Sequence, residues 1–376
     1  MSPARRAALL RLAGFASSAV AIAANVSGAT VDDDRVAPDR ALRFPRDHGA
    51  HPGARTEWWY ATGWLGAQAA PSLGFQLTFF RSRTGLGAGN SSRFAPRQLL
   101  FAHAAVTDLQ AKAHHHAQRI ARWSGDDTVG RVGASSVDGD VRLNDWTLKR
   151  EGRDWLALLP AETFSMQVRL QPSQPLLLQG QAGFSRKGPD AEQASHYYSE
   201  PQLTAQVSVT LNGRSQPLRG RAWLDHEWSD HLLHPQAVGW DWIGMNLFDG
   251  SALTAFALRR ADGSALWAGG SFRAAPRAGS AIAAARNFAP SDVQWRPGRR
   301  WRSAASNTEY PVQWTVDTPA GRFEVRALLD AQELDSRGST GAVYWEGLSE
   351  LLDEKGQPVG LGYLEMTGYQ AALRMF

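Results

Sequence analysis

The chain has 376 residues, of which 43% are hydrophobic and 20% charged, a composition typical of a globular protein and not of a disordered one. Its formal net charge is +4 and its basic residues are scattered, so the charge does not indicate binding of nucleic acid. The absence of cysteine excludes disulfides, thiolate catalysis and cysteine-based metal sites.

The first thirty residues have the pattern of an export signal. Basic residues, including the Arg5-Arg6 pair, precede an apolar, alanine-rich run at 12–24 and small residues that suit a cleavage site. The paired arginines resemble a twin-arginine signal. The run is shorter than the roughly 20 residues of a membrane span, which favours export over an uncleaved anchor. We therefore expect residues 1–29 to be a signal peptide, residues 30–43 a linker, and the mature protein to be periplasmic or secreted.

From Phe44 onwards, short segments of alternating hydrophobicity are separated by turns. Helical periodicity is almost lacking, and this pattern is typical of antiparallel sandwiches or barrels. A chain of 376 residues is too long for one ordinary core, so we predict two all-β units. The polar tract at 180–194 is the candidate boundary, which gives units at 44–194 and 195–376. The clearest strands are predicted at 55–65, 73–81, 98–108, 164–170, 205–211, 218–228, 238–248 and 251–260.

Two charged residues stand on apolar faces of the first two predicted strands. In the first, alternation places Glu57 and Trp59 on one face and Trp58 on the other. Arg81 continues the apolar face of the second. We predict that Glu57 and Arg81 pair, in a contact that either serves binding or has structural value only. Trp58 and Trp59 are candidate walls of a binding pocket.

Residues 219–248 contain four of the chain's fifteen tryptophans, together with several acids and histidines. In the first strand of this stretch, alternation places His226 and Trp228 on one face. Asp225 and Glu227 lie on the other face. These residue types suit acid–base chemistry beside an aromatic wall. We therefore take Asp225, His226 and Glu227 as catalytic candidates and Trp228 as a substrate-binding candidate.

The second strand of this stretch places Asp241 in line with Ile243 and Met245. The opposite face carries Trp240 and Trp242, which are further candidates for substrate binding. An acid on an apolar face is either paired or has a raised pKa, because desolvation disfavours its charged form. Asp241 is therefore the first candidate for catalysis.

Six motifs, in this order, resemble the AttH-like family of exported bacterial proteins. They are FPRDHGAHP at 44–52, TEWWY at 56–60, WLDHEWS at 223–229, GWDW at 239–242, YWEG at 344–347 and GYLEMTGY at 362–369. Members are often described as secreted hydrolases and are related to the carotenoid 1,2-hydratases. The resemblance implies two lipocalin-like β-barrels in tandem and a pocket for apolar molecules, but not one particular reaction.

In the carotenoid hydratases a His-x-Trp pair and a downstream site of an acid beside an aromatic residue are implicated in catalysis. His226-Glu227-Trp228 matches the first of these. Trp240-Asp241-Trp242 resembles the second, although the spacing and residue order can differ. Glu346 and Glu365, in the last two motifs, are further candidates.

Hydration of an unactivated alkene needs a dry proton donor, stabilisation of a carbocation and a held water molecule. A carboxylic acid on an apolar face can act as the donor, and indole faces stabilise a cation. We predict Asp241 as the acid, the tryptophans as walls, and His226 with Asp225 or Glu227 as the group that holds water. The alternative is that these acids only satisfy indole N–H and backbone groups.

We predict no cofactor and no metal. The sequence has no Walker loop, Gly-x-Ser-x-Gly elbow or His-Glu-x-x-His motif, so neither a serine hydrolase nor a zincin is indicated. A zinc site is the alternative, with ligands from His226, His231, His234 and either Asp225 or Asp230.

Two functions remain open. The first is an exported hydratase, isomerase or hydrolase that acts on an apolar, isoprenoid- or lipid-like substrate. The second is a carrier of apolar ligands in the cell envelope. An accessory role in an envelope transport system is a third possibility. An acid and a histidine that converge within hydrogen-bond distance in one apolar cavity favour the enzyme.

Overall fold

A computed structural model describes residues 34–373 except 87, 88, 90, 91, 93, 94, 127, 128, 232, 277, 278 and 280–282. The predicted signal peptide at 1–29 lies outside these residues. The described part of the chain is all-β, as predicted, with two short 3-10 turns at Arg46–His48 and Pro290–Asp292. No helix in it is long and apolar enough to cross a membrane.

The first sheet contains thirteen antiparallel strands. They are β1 (Thr56–Ala67), β2 (Ala70–Arg83), β3 (Gln98–Asp108), β4 (Ala113–Trp123), β5 (Val132–Ala134), β6 (Asp140–Leu143), β7 (Trp146–Glu151), β8 (Asp154–Pro160), β9 (Phe164–Gln171), β10 (Leu177–Leu178), β11 (Phe184–Arg186), β12 (Ala194–Leu211) and β13 (Arg214–Ser229). Their order is β4-β3-β2-β1-β13-β12-β9-β8-β7-β6-β5, and β10 and β11 pair with β12. The two ends of this order contact each other, so the sheet is nearly closed into a barrel.

The second sheet is a large antiparallel sheet of ten strands, consistent with a second lipocalin-like barrel. Its order is β17-β16-β15-β14-β25-β24-β22-β21-β18, with β23 paired to β24, and β19 and β20 form a separate ribbon. The strands are β14 (Gly239–Leu247), β15 (Ala252–Arg259), β16 (Ala265–Arg273), β17 (Arg286–Phe288), β18 (Gln294–Pro297), β19 (Arg300–Arg302), β20 (Glu309–Pro311), β21 (Gln313–Thr318), β22 (Gly321–Ala327), β23 (Glu333–Asp335), β24 (Val343–Leu352) and β25 (Pro358–Met366).

The sheets divide between Ser229 and Gly239, whereas the sequence analysis placed the boundary at residue 194. The hairpin of β12 and β13 belongs to the first sheet, because β13 pairs with β1 and β12 pairs with β9. The polar tract before β12 is not a linker, since β11 lies in it and pairs with β12. The polar residues of this tract therefore have the composition of a linker between domains, although the tract is part of the first sheet.

Most long strands near the junction of the sheets are buried on both faces. One face of β1 packs inside the first barrel, where Trp59 and Ala61 contact residues of β2 and β3. The other face, with Tyr60 and Trp64, packs against residues of the second sheet such as Trp242. Because a strand alternates, each such strand contributes both to a barrel core and to the layer between the sheets.

Candidate functional site

The layer between the two sheets contains a cavity of about 150 Å³. Strands β1, β2, β3 and β13 form one wall, and β14, β15, β24 and β25 form the other. The apolar part of its lining includes six aromatic side chains: Trp58, Phe80, Phe101, Trp240, Trp242 and Phe256. This is the concave, mostly apolar surface that small-molecule sites commonly have.

Two glutamates stand side by side in this cavity. Glu346 of β24 and Glu365 of β25 are direct partners in the strand register. Burial raises the pKa of Glu365 to about 8. Burial and the charge of Glu365 raise the pKa of Glu346 well above its usual range. Near neutral pH both carboxyl groups therefore carry protons, because two desolvated acids at one site resist ionisation.

Asp225 also lines the cavity, from β13. Its Oδ1 accepts a hydrogen bond from the Trp223 indole at 2.7 Å, and its Oδ2 accepts one from the Tyr197 hydroxyl at 2.7 Å. Burial raises the pKa of Asp225 to about 7, and these hydrogen bonds oppose part of the rise. Asp225 therefore changes its charge close to neutral pH, which suits a general base.

Glu227 lines the same cavity but forms an ion pair, with 3.0 Å between its Oε1 and Nζ of Lys187. The Lys187 ammonium also lies over the rings of Tyr197 and Phe256, at 4.6 and 4.4 Å from their centroids. These contacts hold Lys187 in place, with Glu227 as its ion-pair partner. Because it is paired, Glu227 is better suited to balance the charge of Lys187 than to transfer a proton.

The predicted pair of Glu57 and Arg81 is confirmed. The two residues are partners in the β1–β2 register, and Nε of Arg81 lies 2.7 Å from Oε2 of Glu57. Glu57 also contacts the rings of His51 at 2.7 Å and His226 at 3.0 Å. Burial alone would raise the pKa of Glu57, but Arg81 and the two histidines hold it well below its usual range. Both members of the pair border the cavity.

His226 does not line the cavity, because it lies on the opposite face of β13 from Asp225 and Glu227. The ring is fully buried inside the first barrel, stacks on Trp59 with centroids 4.7 Å apart, and has its pKa lowered by burial. The sequence analysis expected it to hold the reacting water. Its position makes it a buried partner of Glu57 instead.

The zinc ligands considered from the sequence do not come together. His226 faces Glu57, whereas His234 lies 3.8 Å from Asp190. Among the described residues, His51, Glu57 and His226 do place ligand atoms within 4.8 Å of one another. Arg81 already pairs with this carboxylate, so a cation there would compete with a guanidinium.

Asp241 lies outside the cavity, and this corrects its expected role as the acid. The alternation was read correctly, but the apolar face it identified is the core of the second barrel, where Ile243 and Met245 pack. There Asp241 pairs with Nε of Arg259 at 2.8 Å and accepts a hydrogen bond from Tyr369 at 2.9 Å. Burial raises the pKa of Asp241 to about 6, but its side chain is not part of the cavity lining.

Of the five tryptophans predicted to bind substrate, three line the cavity and two do not. Trp58, Trp240 and Trp242 line the cavity, as expected of substrate-binding residues. Trp59 packs in the core of the first barrel, where its indole donates to the His48 carbonyl at 2.9 Å. Trp228 packs in a separate small cluster with Ala54 and Tyr198 and stacks on His51, with centroids 3.6 Å apart.

His103 and Tyr344, which the sequence analysis did not single out, join the two walls of the cavity. The Tyr344 hydroxyl lies 2.7 Å from Nδ1 of His103, whose Nε2 lies 2.8 Å from Oγ of Ser339. Burial lowers the pKa of His103 to about 3, so the ring is neutral. The unprotonated Nδ1 accepts a hydrogen bond from the Tyr344 hydroxyl, while Nε2–H donates one to Oγ of Ser339. A histidine between Phe101 and Ala105 on an apolar strand face was the available signal.

A family model described as AttH-like matches residues 35–369. No curated protein matches the chain. The crystal structure of an AttH protein from Nitrosomonas europaea has a TM-score of 0.79 and 46% identity, and the match covers 89% of this chain and 99% of that one. Kievitone hydratase from Nectria haematococca has a TM-score of 0.65 and 14% identity, with 88% and 94% covered. The chain belongs to the AttH-like family.

Proposed function

We propose that this protein is an exported enzyme that adds water to, or removes water from, an apolar substrate of isoprenoid- or lipid-like character. The observation that carries the proposal is the pair of adjacent carboxyl groups, Glu346 and Glu365, inside a cavity lined by aromatic rings, where burial raises the pKa of both. A desolvated carboxylic acid that keeps its proton at neutral pH is a suitable general acid.

The remaining requirement is a group that takes a proton from water. Asp225 meets it, because its pKa of about 7 leaves much of it ionised at neutral pH and it lies close enough to Glu365 to raise the pKa of that group. In hydration, Glu365 gives a proton to one alkene carbon and Asp225 takes one from the water that bonds to the other. Proton transfer from Asp225 back to Glu365 restores both groups.

The fold supports this proposal in a limited way. Kievitone hydratase, a hydratase by its name, has a similar fold, so this architecture is compatible with hydration. The assignment to the present chain depends on its own acids. The alternative of a carrier for apolar ligands in the envelope uses the same aromatic lining but gives the protonated glutamates no role.

An isotope experiment tests the proposal. The purified protein is incubated with an envelope lipid extract in H₂¹⁸O, and products are compared by mass spectrometry with those of Glu365→Gln. We expect a product that contains one ¹⁸O in its new hydroxyl group with the wild type and not with the variant. An apolar ligand that both proteins retain unchanged, without ¹⁸O, would support the carrier.

The same two groups predict a bell-shaped dependence of kcat/KM on pH. The rate rises as pH increases through about 7, because Asp225 must lose its proton, and falls above about 8, because Glu365 must keep its own. Asp225→Asn removes the acidic limb together with most of the activity. A rate constant that does not change between about pH 6 and about pH 9 contradicts both roles.

A further inference from the structure

Five buried side-chain atoms of the cavity lining have no hydrogen-bond partner among the described residues: the hydroxyl oxygen of Tyr60, Nη2 of Arg81, Oγ of Ser82, Oε1 of Glu227 and Oε1 of Glu346. Arg81 and Glu227 are already held in ion pairs, whereas Tyr60 and Glu346 are not. The two residues line the cavity from opposite walls and are only 5% and 2% exposed. A buried polar group without a partner is unfavourable, so this pair marks a place where a polar atom of a ligand is expected.

Both groups are arranged to donate. Burial raises the pKa of Tyr60 and that of Glu346 well above their usual ranges, and a contact between the two side chains also shifts both pKa values. The two groups therefore face each other, and one ligand oxygen placed between them can accept from both. The Tyr60 ring is held edge-on against Trp242, with centroids 5.4 Å apart. The nearby Tyr344 hydroxyl lies 2.7 Å from Nδ1 of His103 and also contacts Glu346.

We propose that Tyr60 and Glu346 bind the carbonyl oxygen of the substrate, which is therefore an apolar α,β-unsaturated carbonyl compound. This rests on the proposed function and names its substrate class. A neutral oxygen with two lone pairs satisfies both donors at once, whereas a hydrocarbon leaves both unsatisfied. A tyrosine beside a protonated carboxylic acid in an apolar pocket is also the arrangement that binds an enolate oxygen in ketosteroid isomerase.

The carbonyl changes the chemistry of hydration. Asp225 takes a proton from water, the water oxygen bonds to the β-carbon, and the alkene electrons move onto the carbonyl oxygen to form an enolate. Tyr60 and Glu346 stabilise this oxyanion through preorganised hydrogen bonds. Glu365 then protonates the α-carbon, and the carbonyl re-forms. The net change is the addition of one water molecule, and neither an oxidant nor a metal is required for the balance.

The charge of the cavity favours a carbonyl over an organic cation. Lys187 and Arg81 already neutralise Glu227 and Glu57. Since Glu346 and Glu365 keep their protons near neutral pH, an ammonium group meets a carboxylate at these two residues only if it displaces a proton. Asp225 is partly ionised at this pH, but both of its oxygens already accept hydrogen bonds from Trp223 and Tyr197.

Ligand binding tests the site without knowledge of the substrate. The probes are 2-naphthol, whose hydroxyl mimics an enol, naphthalene, which lacks the oxygen, and naphthalen-2-ylmethylammonium. Affinities are measured by calorimetry and fluorescence at pH 7. We expect 2-naphthol to bind at least about tenfold more tightly than naphthalene, which corresponds to one or two hydrogen bonds. The ammonium probe is expected to bind most weakly.

Variants assign the effect to the two donors. Tyr60→Phe and Glu346→Leu each remove one donor, and each should lower the affinity for 2-naphthol by about tenfold while leaving that for naphthalene unchanged. Glu346→Gln keeps an N–H donor and should retain most of the binding. Tyr310→Phe is the matched control, because Tyr310 is buried in the second core with an unpartnered hydroxyl and does not line the cavity.

Three outcomes overturn the inference: no preference of the wild type for 2-naphthol, no effect of the two donor deletions, or tightest binding of the ammonium probe. If the ¹⁸O experiment still shows hydration in any of these cases, only the carbonyl site is wrong and the hydratase proposal stands.

Discussion

Replacing Arg81 by methionine is expected to lower the free energy of unfolding by about 3–5 kcal/mol, because it removes one partner of a buried ion pair. Glu57 and Arg81 are each 1% exposed. Among the groups that lower the pKa of Glu57, the Arg81 guanidinium has the largest effect. Without it, the carboxylate must stay charged in an apolar setting or take up a proton, and both states destabilise the fold. Urea denaturation monitored by tryptophan fluorescence measures the change.

Two variants control this prediction. Glu57→Gln combined with Arg81→Met removes both charges and should recover part of the loss, since the uncompensated charge is gone. Arg322→Met breaks an exposed pair with Asp317, 2.6 Å long, and should cost much less, because water screens the two charges. An Arg81→Met loss no greater than that of Arg322→Met would mean that Glu57 does not depend on Arg81.

The pairing of Glu57 with Arg81 was accessible from the sequence for a simple reason. Both residues interrupt otherwise apolar faces of consecutive strands, and a short connection makes consecutive strands neighbours in an antiparallel sheet. The all-β class and the alternation of β13 follow from the same local pattern. Local periodicity therefore predicted the strands and which side chains share a face.

Periodicity did not predict what each face meets. Both faces of β14 are buried, so the sequence pattern alone did not show whether Asp241 or the tryptophans on the opposite face line the cavity. The structure places Trp242 in the layer between the sheets and Asp241 in a packed core beside Arg259. That distinction depends on how the two sheets pack, which is a long-range property absent from the spacing of residues.

The cavity also lies outside the place expected of a lipocalin-like barrel. The interior of the first barrel is filled by large side chains such as Trp59, Phe75, Trp146 and Trp155. The cavity lies instead at the junction of the two sheets, where residues from eight strands meet. Glu346 and Glu365 were recognised as candidates, but their pairing needed the register of β24 and β25, which 18 intervening residues did not reveal.

Substituting Glu365 by glutamine is expected to lower kcat/KM by about 10²–10⁴-fold, the usual contribution of a general acid. Glutamine matches the shape of the protonated side chain but has no proton to give, so KM should change much less than kcat. The readout is formation of the ¹⁸O-labelled product. Glu354→Gln, at an exposed position after β24, should leave product formation unchanged.

The same substitution should have a stability effect that separates a buried acid from an exposed one. The pKa of Glu365 is about 8 in the folded protein and about 4.3 in an unfolded chain. As pH rises from about 4 to about 8, the unfolded state therefore loses this proton first, and the wild type loses stability across that window. Glu365→Gln lacks this loss, so its free energy of unfolding relative to the wild type should rise by on the order of 4 kcal/mol between about pH 5 and about pH 9. A difference that stays constant over this range, as expected for Glu354→Gln, would show that Glu365 ionises freely and holds no proton for catalysis at neutral pH.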